Sequence, residues 1–179
     1  DWQGKGAADR HRTLRAAMDW SRRLLDPEFQ LFFEQLSVFR GGWSLDAAAA
    51  VCATGTPLSG GQVHEALRQL QAHSLVLSEE YGQEVRFRML ETVREYAWEC
   101  LVARGESQAV CARHAEFFLA LAEEAETNLQ GWEKQARIEQ LDTEHDNLLA
   151  ALAWCAEAAP EMEGRLAGAL GSFWETRGY

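Results

Sequence analysis

Arg86-Phe87-Arg88-Met89-Leu90-Glu91-Thr92-Val93-Arg94-Glu95-Tyr96-Ala97 changes its hydrophobic period within three residues. Val85, Phe87 and Met89 alternate with Arg86 and Arg88, the pattern of a half-buried strand, whereas Val93, Tyr96, Ala97, Cys100 and Leu101 recur at helical spacing. A strand therefore hands over to a helix here. Thr92 and Glu95 read as a T-x-x-E capping box, which places the helix start at Thr92 and predicts that Thr92→Ala costs about 0.5–2 kcal/mol.

Working back from this joint, two short strands are expected at Leu75 to Ser78 and Val85 to Met89. The polar stretch 79–84, with Gly82 at its turn, would make them a hairpin. Before them, Val63, Ala66, Leu67 and Leu70 mark a helix from about Gln62 to His73, with Ser59-x-x-Gln62 as a second capping box. Ser44 is the expected cap of an alanine-rich helix from Leu45 to about Ala53. Asp26-Pro27 opens a helix carrying the stripe Phe29, Phe32, Phe33, Leu36 and Phe39, with Gly41-Gly42 as its stop. The first helix is expected from Arg10 to Leu25, burying Leu14, Ala17, Met18, Ser21 and Leu25, with Trp20 and Leu24 widening that face. Residues 1–9, with two glycines and no periodicity, read as a linker. Three helices, a hairpin and a further helix are the order of a winged-helix domain with extensions, here 10–105.

Beyond Gly105 the strand signal ends. Helices are expected from Ser107 to Asn128 (burying Phe117, Phe118 and Leu121), from Trp132 to Ala158 with a break near Asp142-Thr143 (burying Leu149, Leu152 and Ala156), and from Met162 to Thr176. Antiparallel helices of this size suggest the start of a helical-repeat array over 106–179, left uncapped at Tyr179. The fold class is thus mainly α: a winged helix with a two-stranded wing, then a TPR-like segment.

The 179 residues can bury a sizeable core and show no apolar run near the roughly 20 residues of a membrane span, nor the order of a signal peptide at Asp1 to Gly6. A cytoplasmic location without membrane attachment is the expectation. The net charge of −11 is uneven: 11 basic against 14 acidic side chains in residues 1–100, 6 against 14 in residues 101–179. Such an acidic second half repels nucleic acid and anionic lipid. Cys52, Cys100, Cys111 and Cys155 lack metal or redox spacing and read as free thiols.

No catalytic constellation is written here. Gly4-Lys5-Gly6 is not a P-loop, Cys111 and His114 supply too few ligands for a metal, and Glu144-His145-Asp146 has no nucleophile beside it. The segment is expected not to be an enzyme. DNA recognition by the third winged-helix helix requires cations, yet residues 62–73 offer only Arg68 beside His64, Glu65 and His73. The wing carries Glu79, Glu80 and Glu84, so direct DNA binding is disfavoured. The arginines at 10, 12, 15, 22 and 23 form a basic helix face, solvated in the ordinary case and otherwise facing a phosphate or an acidic neighbour.

Several stretches occur together in a telling order: Arg12-Thr13-Leu14-Arg15 to Trp20-Ser21, Leu36-Ser37-Val38-Phe39-Arg40-Gly41-Gly42, Leu90 to Ala97, Arg113-His114-Ala115 with Phe118 to Ala122, and Glu144 to Leu152. In that order they resemble bacterial STAND-class signalling ATPases, the large ATP-binding transcriptional regulators of LuxR and AfsR types. The resemblance implies a winged-helix arm behind an NB-ARC nucleotide-binding core, followed by the beginning of a TPR-like sensor. It implies ATP or ADP in the parent protein with no cofactor in this segment. It further implies that core as partner in the same polypeptide, an effector domain elsewhere and an inducer at the repeats. Interaction candidates are Arg12, Arg15, Arg86, Arg88, Glu91 and Arg94. Related eukaryotic proteins end the wing with M-H-D, whose histidine approaches ADP. Met89-Leu90-Glu91 stands there in this chain, and Leu90 cannot donate to a phosphate, while Glu91 keeps an acid at the helix start, favourable by about 0.3–1 kcal/mol. The alternative reading is a winged-helix DNA-binding transcription factor module.

Overall fold

The computed structural model describes residues 2–53, 58, 60–81, 84–127 and 134–177, with the backbone alone at 2–12, 60 and 81. It divides into two compact units. The first comprises residues 1–37 and 44–107, the second residues 38–43 and 108–179.

In the first unit, α1 (Trp2–Arg23) is followed by α2 (Pro27–Gln35), which continues as a short 3-10 turn, Leu36–Val38. Strand β1 (Trp43–Ser44) leads into α3 (Leu45–Cys52) and α4 (Gly60–Ala72); strands β2 (Leu77–Tyr81) and β3 (Glu84–Arg88) then form the wing before α5 (Glu91–Arg104). The hairpin is antiparallel, with Leu77 opposite Arg88 and Glu79 opposite Arg86. The strand order is β1-β3-β2, so the sheet has three strands. Two residues are too few for a period, and β1 carries no sequence signal of its own.

The apolar stripes behave as expected on α2, α4 and α5: Phe32, Phe33, Leu67, Leu70, Tyr96 and Leu101 are buried. A buried carboxylate runs through this core. Glu34 is 0% exposed and is held by Arg22 of α1 at 2.6 Å and by Arg104 of α5. A charge taken out of water requires such partners. Tyr96 donates to Asp19 at 2.6 Å, a second tie between α1 and α5, and burial together with that carboxylate pushes the phenol's pKa up.

Several sequence expectations need correction. Residues 2–9, read as a linker, are helical: the apolar period begins near Arg10, but backbone hydrogen bonding does not need it. Of the apolar set expected over Arg10 to Leu25, Met18 of α1 and Leu25 in the turn after it are buried, while Leu14 is 42%, Leu24 52% and Trp20 67% exposed. Gly41-Gly42 does not end α2, which stops before the 3-10 turn; both glycines take positive φ, +70° and +115°, in the loop beyond. The capping box at Thr92 is not formed. Helix α5 starts one residue earlier, with Leu90 at the N-cap and no side-chain cap, because the carbonyl of Leu90 already accepts from Val93 and Arg94 at 2.9 Å. Ser44 does cap α3, its Oγ accepting from the amide of Ala47 at 3.2 Å. Asp26 stands at the N-cap of α2 without a side-chain bond, and Ser59 lies outside the described residues.

The second unit contains α6 (Ser107–Thr127), α7 (Lys134–Thr143), α8 (His145–Ala158) and α9 (Pro160–Arg177). The break near Asp142-Thr143 is present between α7 and α8, and Pro160 opens α9. Phe118, Leu141, Leu148, Leu170 and Phe173 form the core, whereas Leu149 and Ala156, expected inside, are exposed, and Phe117, Leu121 and Leu152 are half-buried. Here the neighbouring helices cover a narrower stripe than the apolar run supplies. Arg165 reaches Glu123 at 2.7 Å and Arg137 reaches Glu124 at 2.9 Å, so α6 is tied to both α9 and α7. Trp132 lies outside the described residues.

Candidate functional site

A winged helix reads nucleic acid with its third helix, here α4, and with its wing. On α4 the apolar face is committed to the core, leaving Gln62, His64 and Arg68 exposed. Arg68 is occupied: its guanidinium forms a fork on Glu65, at 2.9 Å and 2.7 Å, one turn back on the same helix. That hydrogen bonding holds the Glu65 carboxyl well below its usual range, at about 2, and raises the arginine. Gln69 adds a third donor to the same carboxylate at 3.1 Å. On the wing, Arg88 is paired with Glu79 at 2.5 Å, and Glu80 and Glu84 face solvent. The face that would meet phosphates presents cations already bound to carboxylates, beside further carboxylates.

The five interaction candidates whose side chains are described do not converge on one point. Arg12 lies on α1, its side chain outside the described residues. Arg15 donates to Glu99 at 2.6 Å and sits over the Tyr96 ring at 5.6 Å, and Glu99 raises its pKa. Arg86 is half-buried on β3, and Arg88 belongs to the wing pair above. Glu91 and Arg94 bind one another across one turn of α5. Leu90 is 50% exposed.

Glu144, His145 and Asp146 diverge. Glu144 is buried and accepts from Asn147 at 2.8 Å, while His145 and Asp146 line an open cleft with Gly41, Asp142, Thr143 and Arg177. Asp142 and Arg177 are ion-paired there. The ring of His114 lies 4.6 Å from Phe118 and 5.4 Å from Phe39, and among the described residues no group of three metal-ligating side chains assembles. All four cysteines are free thiols. Sequence reasoning missed Glu34 and Asn147. Neither lies on the apolar stripe that the spacing marks on its helix, so no period pointed to them; each is buried by partners elsewhere in the chain. No helix among the described residues is long and apolar enough to cross a membrane.

Comparison with known proteins follows the same lines. The winged helix-turn-helix domain family matches residues 25–102. The "Putative HTH-type transcriptional regulator Rv0890c" of Mycobacterium tuberculosis is 39% identical over 98% of this chain, and its Mycobacterium bovis counterpart is equally similar. The chain spans 20% of the length of these curated relatives. An uncharacterized M. tuberculosis protein, Rv0894, is 36% identical over 57% of the chain and 26% of its own length. A solved ArsR-like transcriptional regulator from Rhodococcus sp. RHA1 overlaps 57% of this chain and 85% of its own, at 24% identity and a TM-score of 0.31, too low to bear on the fold. The chain carries a winged helix-turn-helix domain at residues 25–102 and is homologous, over almost all of its length, to part of that mycobacterial regulator.

Proposed function

We propose that this chain is a non-catalytic regulatory segment of an ATP-dependent, STAND-class transcriptional regulator. Its winged helix packs on a nucleotide-binding core of the same polypeptide, and its helices α6–α9 begin a TPR-like sensor for an inducer. ATP or ADP would belong to the core, and the effector domain to another part of the parent. The observation that carries this reading is the cancelled charge of the DNA-facing surface: Arg68 is held by Glu65 and Arg88 by Glu79, beside the acidic residues of the wing. The exposed row of Ala17 and Trp20 on α1 with Leu24 just beyond its end supports it, because such a row suits burial against another protein surface better than contact with phosphates.

The test is calorimetric titration of the chain with duplex DNA, ADP and ATP at physiological salt. DNA affinity no tighter than a nonspecific Kd of about 10⁻⁵ M is expected, with no nucleotide turnover. Tight, salt-sensitive DNA binding would instead establish a winged-helix DNA reader, and turnover by this chain would overturn both readings. In the intact regulator, Trp20→Ser is expected to speed ADP release while leaving the stability of the present chain unchanged; unaltered release would remove the packing role.

A further inference from the structure

Asn147, on α8 and 1% exposed, uses every hydrogen-bonding position its amide has. Oδ1 accepts from the backbone amide of Arg40 at 2.7 Å and lies 3.4 Å from His114 Nε2; Nδ2 donates to the carbonyl of Gly42 and to the Glu144 carboxylate, both at 2.8 Å. An asparagine side chain offers two donors and two acceptor sites, so none is left over. Because Oδ1 can only accept, His114 carries its proton on Nε2.

Two of these four partners are backbone atoms of residues 38–43, a hexapeptide that belongs to the second unit although both of its flanks belong to the first. The same hexapeptide is held by its rings. Phe39 stacks on Trp43 at 5.4 Å and meets His114 and Phe118 edge-on. Its sharp course depends on Gly41, whose φ is +70°; a Cβ there would also stand 2.8 Å from Asp146 Oδ2. The chain then runs directly into Ser44, whose hydroxyl caps α3, the first helix of the helix-turn-helix.

We propose that residues 38–43 are a strap and Asn147 its clasp, so that the state of the second unit is transmitted through the covalent chain to the start of α3. A buried amide with four partners has discrete held and released arrangements, because partial release strands donors and acceptors away from water. The strap goes beyond the proposed role on a nucleotide-binding core and stands without it, since every residue involved belongs to this chain.

Residue-resolved hydrogen exchange on the full chain tests the strap. In the wild type the Arg40 amide is expected to be protected. In Asn147→Ala it is expected to exchange at least about tenfold faster, and the Ala47 amide, which donates to Ser44, is expected to accelerate with it, while Leu67 and Leu70 on α4 stay unchanged. An unprotected Arg40 in the wild type, or an Ala47 that does not move when Arg40 is released, overturns the proposal. Should Asn147→Ala abolish protection throughout α6–α9, Gly41→Ala decides, because it disturbs the strap and leaves the bonds of Asn147 to His114 and Glu144 in place. Joint acceleration of Arg40 and Ala47 in that variant supports the strap, and any other pattern overturns it.

Discussion

His114 shows how a single enclosed ring shapes the behaviour of the protein. Burial, reinforced by the nearby Arg40 charge and only partly offset by the bond to Asn147, lowers its pKa from 6.5 to about 4. The unfolded chain therefore takes up a proton near pH 6.5 that the folded chain refuses until about pH 4. The contribution of His114 is fully present above 6.5 and is lost as pH falls through that window, at up to about 1.4 kcal/mol per pH unit. Urea midpoints between pH 7 and 4.5 are expected to fall less steeply in His114→Gln than in the wild type, and parallel curves would show that His114 does not titrate differently on folding. Glu34 is the second such residue. Glu34→Gln leaves Arg22 and Arg104 without their shared charge, but both guanidiniums are partly solvated, so a loss near the low end for a broken buried pair is expected, about 3 kcal/mol. A midpoint shift worth less than about 1 kcal/mol would show that the triad contributes little. Neither partner set was legible beforehand: spacing puts His114 on the apolar face of its helix and Glu34 opposite the phenylalanine stripe of its own, and in neither case does it name the distant group that meets the side chain.

Among the elements, the helix starts separate what is legible from what is not. Ser44 and Thr92 look alike in sequence, each a hydroxyl residue ahead of a helical period, yet Ser44 caps its helix and Thr92 lies inside α5. The difference is set by the preceding backbone. Leu90 takes an extended ψ of 144° at the end of the wing and so becomes the N-cap, two residues before Thr92. Ser44→Ala is accordingly expected to cost about 1 kcal/mol, whereas Thr92→Ala should cost no more than about 0.5 kcal/mol, the ordinary range for an exposed site. Equal shifts in urea midpoint would contradict this assignment. Periodicity located α2, α4, α5, α6 and α9 because each buries one stripe. It misjudged α1 and the turn that follows it: Met18 and, beyond the helix end, Leu25 are buried, while Ala17, Trp20 and, beyond the helix end, Leu24 are exposed. Spacing alone cannot say which stripe the fold will cover.

At the scale of the whole chain, the order of the elements was readable but their division was not. The end of the strand signal suggests a boundary near residue 105, whereas the compact units are residues 1–37 with 44–107 and residues 38–43 with 108–179. Phe39 reads as the end of an aromatic stripe, and no local pattern shows that it meets the rings of His114 and Phe118 on a helix some 75 residues later. This interleaving gives a sharp expectation for truncation. A fragment ending at Ser107 retains the whole matched winged-helix region, residues 25–102. It loses Phe118, His114 and Asn147, against which Phe39 and the backbone of Arg40 and Gly42 are placed. Removing the cover from a buried aromatic ring costs about 1.5–3 kcal/mol, and the stranded backbone groups add to it. The fragment 1–107 is expected to unfold at a lower urea midpoint than the same region in the full chain and to bind a hydrophobic dye that the full chain does not. Asn147→Ala should move the full chain part of the way toward that behaviour. A fragment with an undiminished midpoint would show that the first unit needs nothing from residues 108–179.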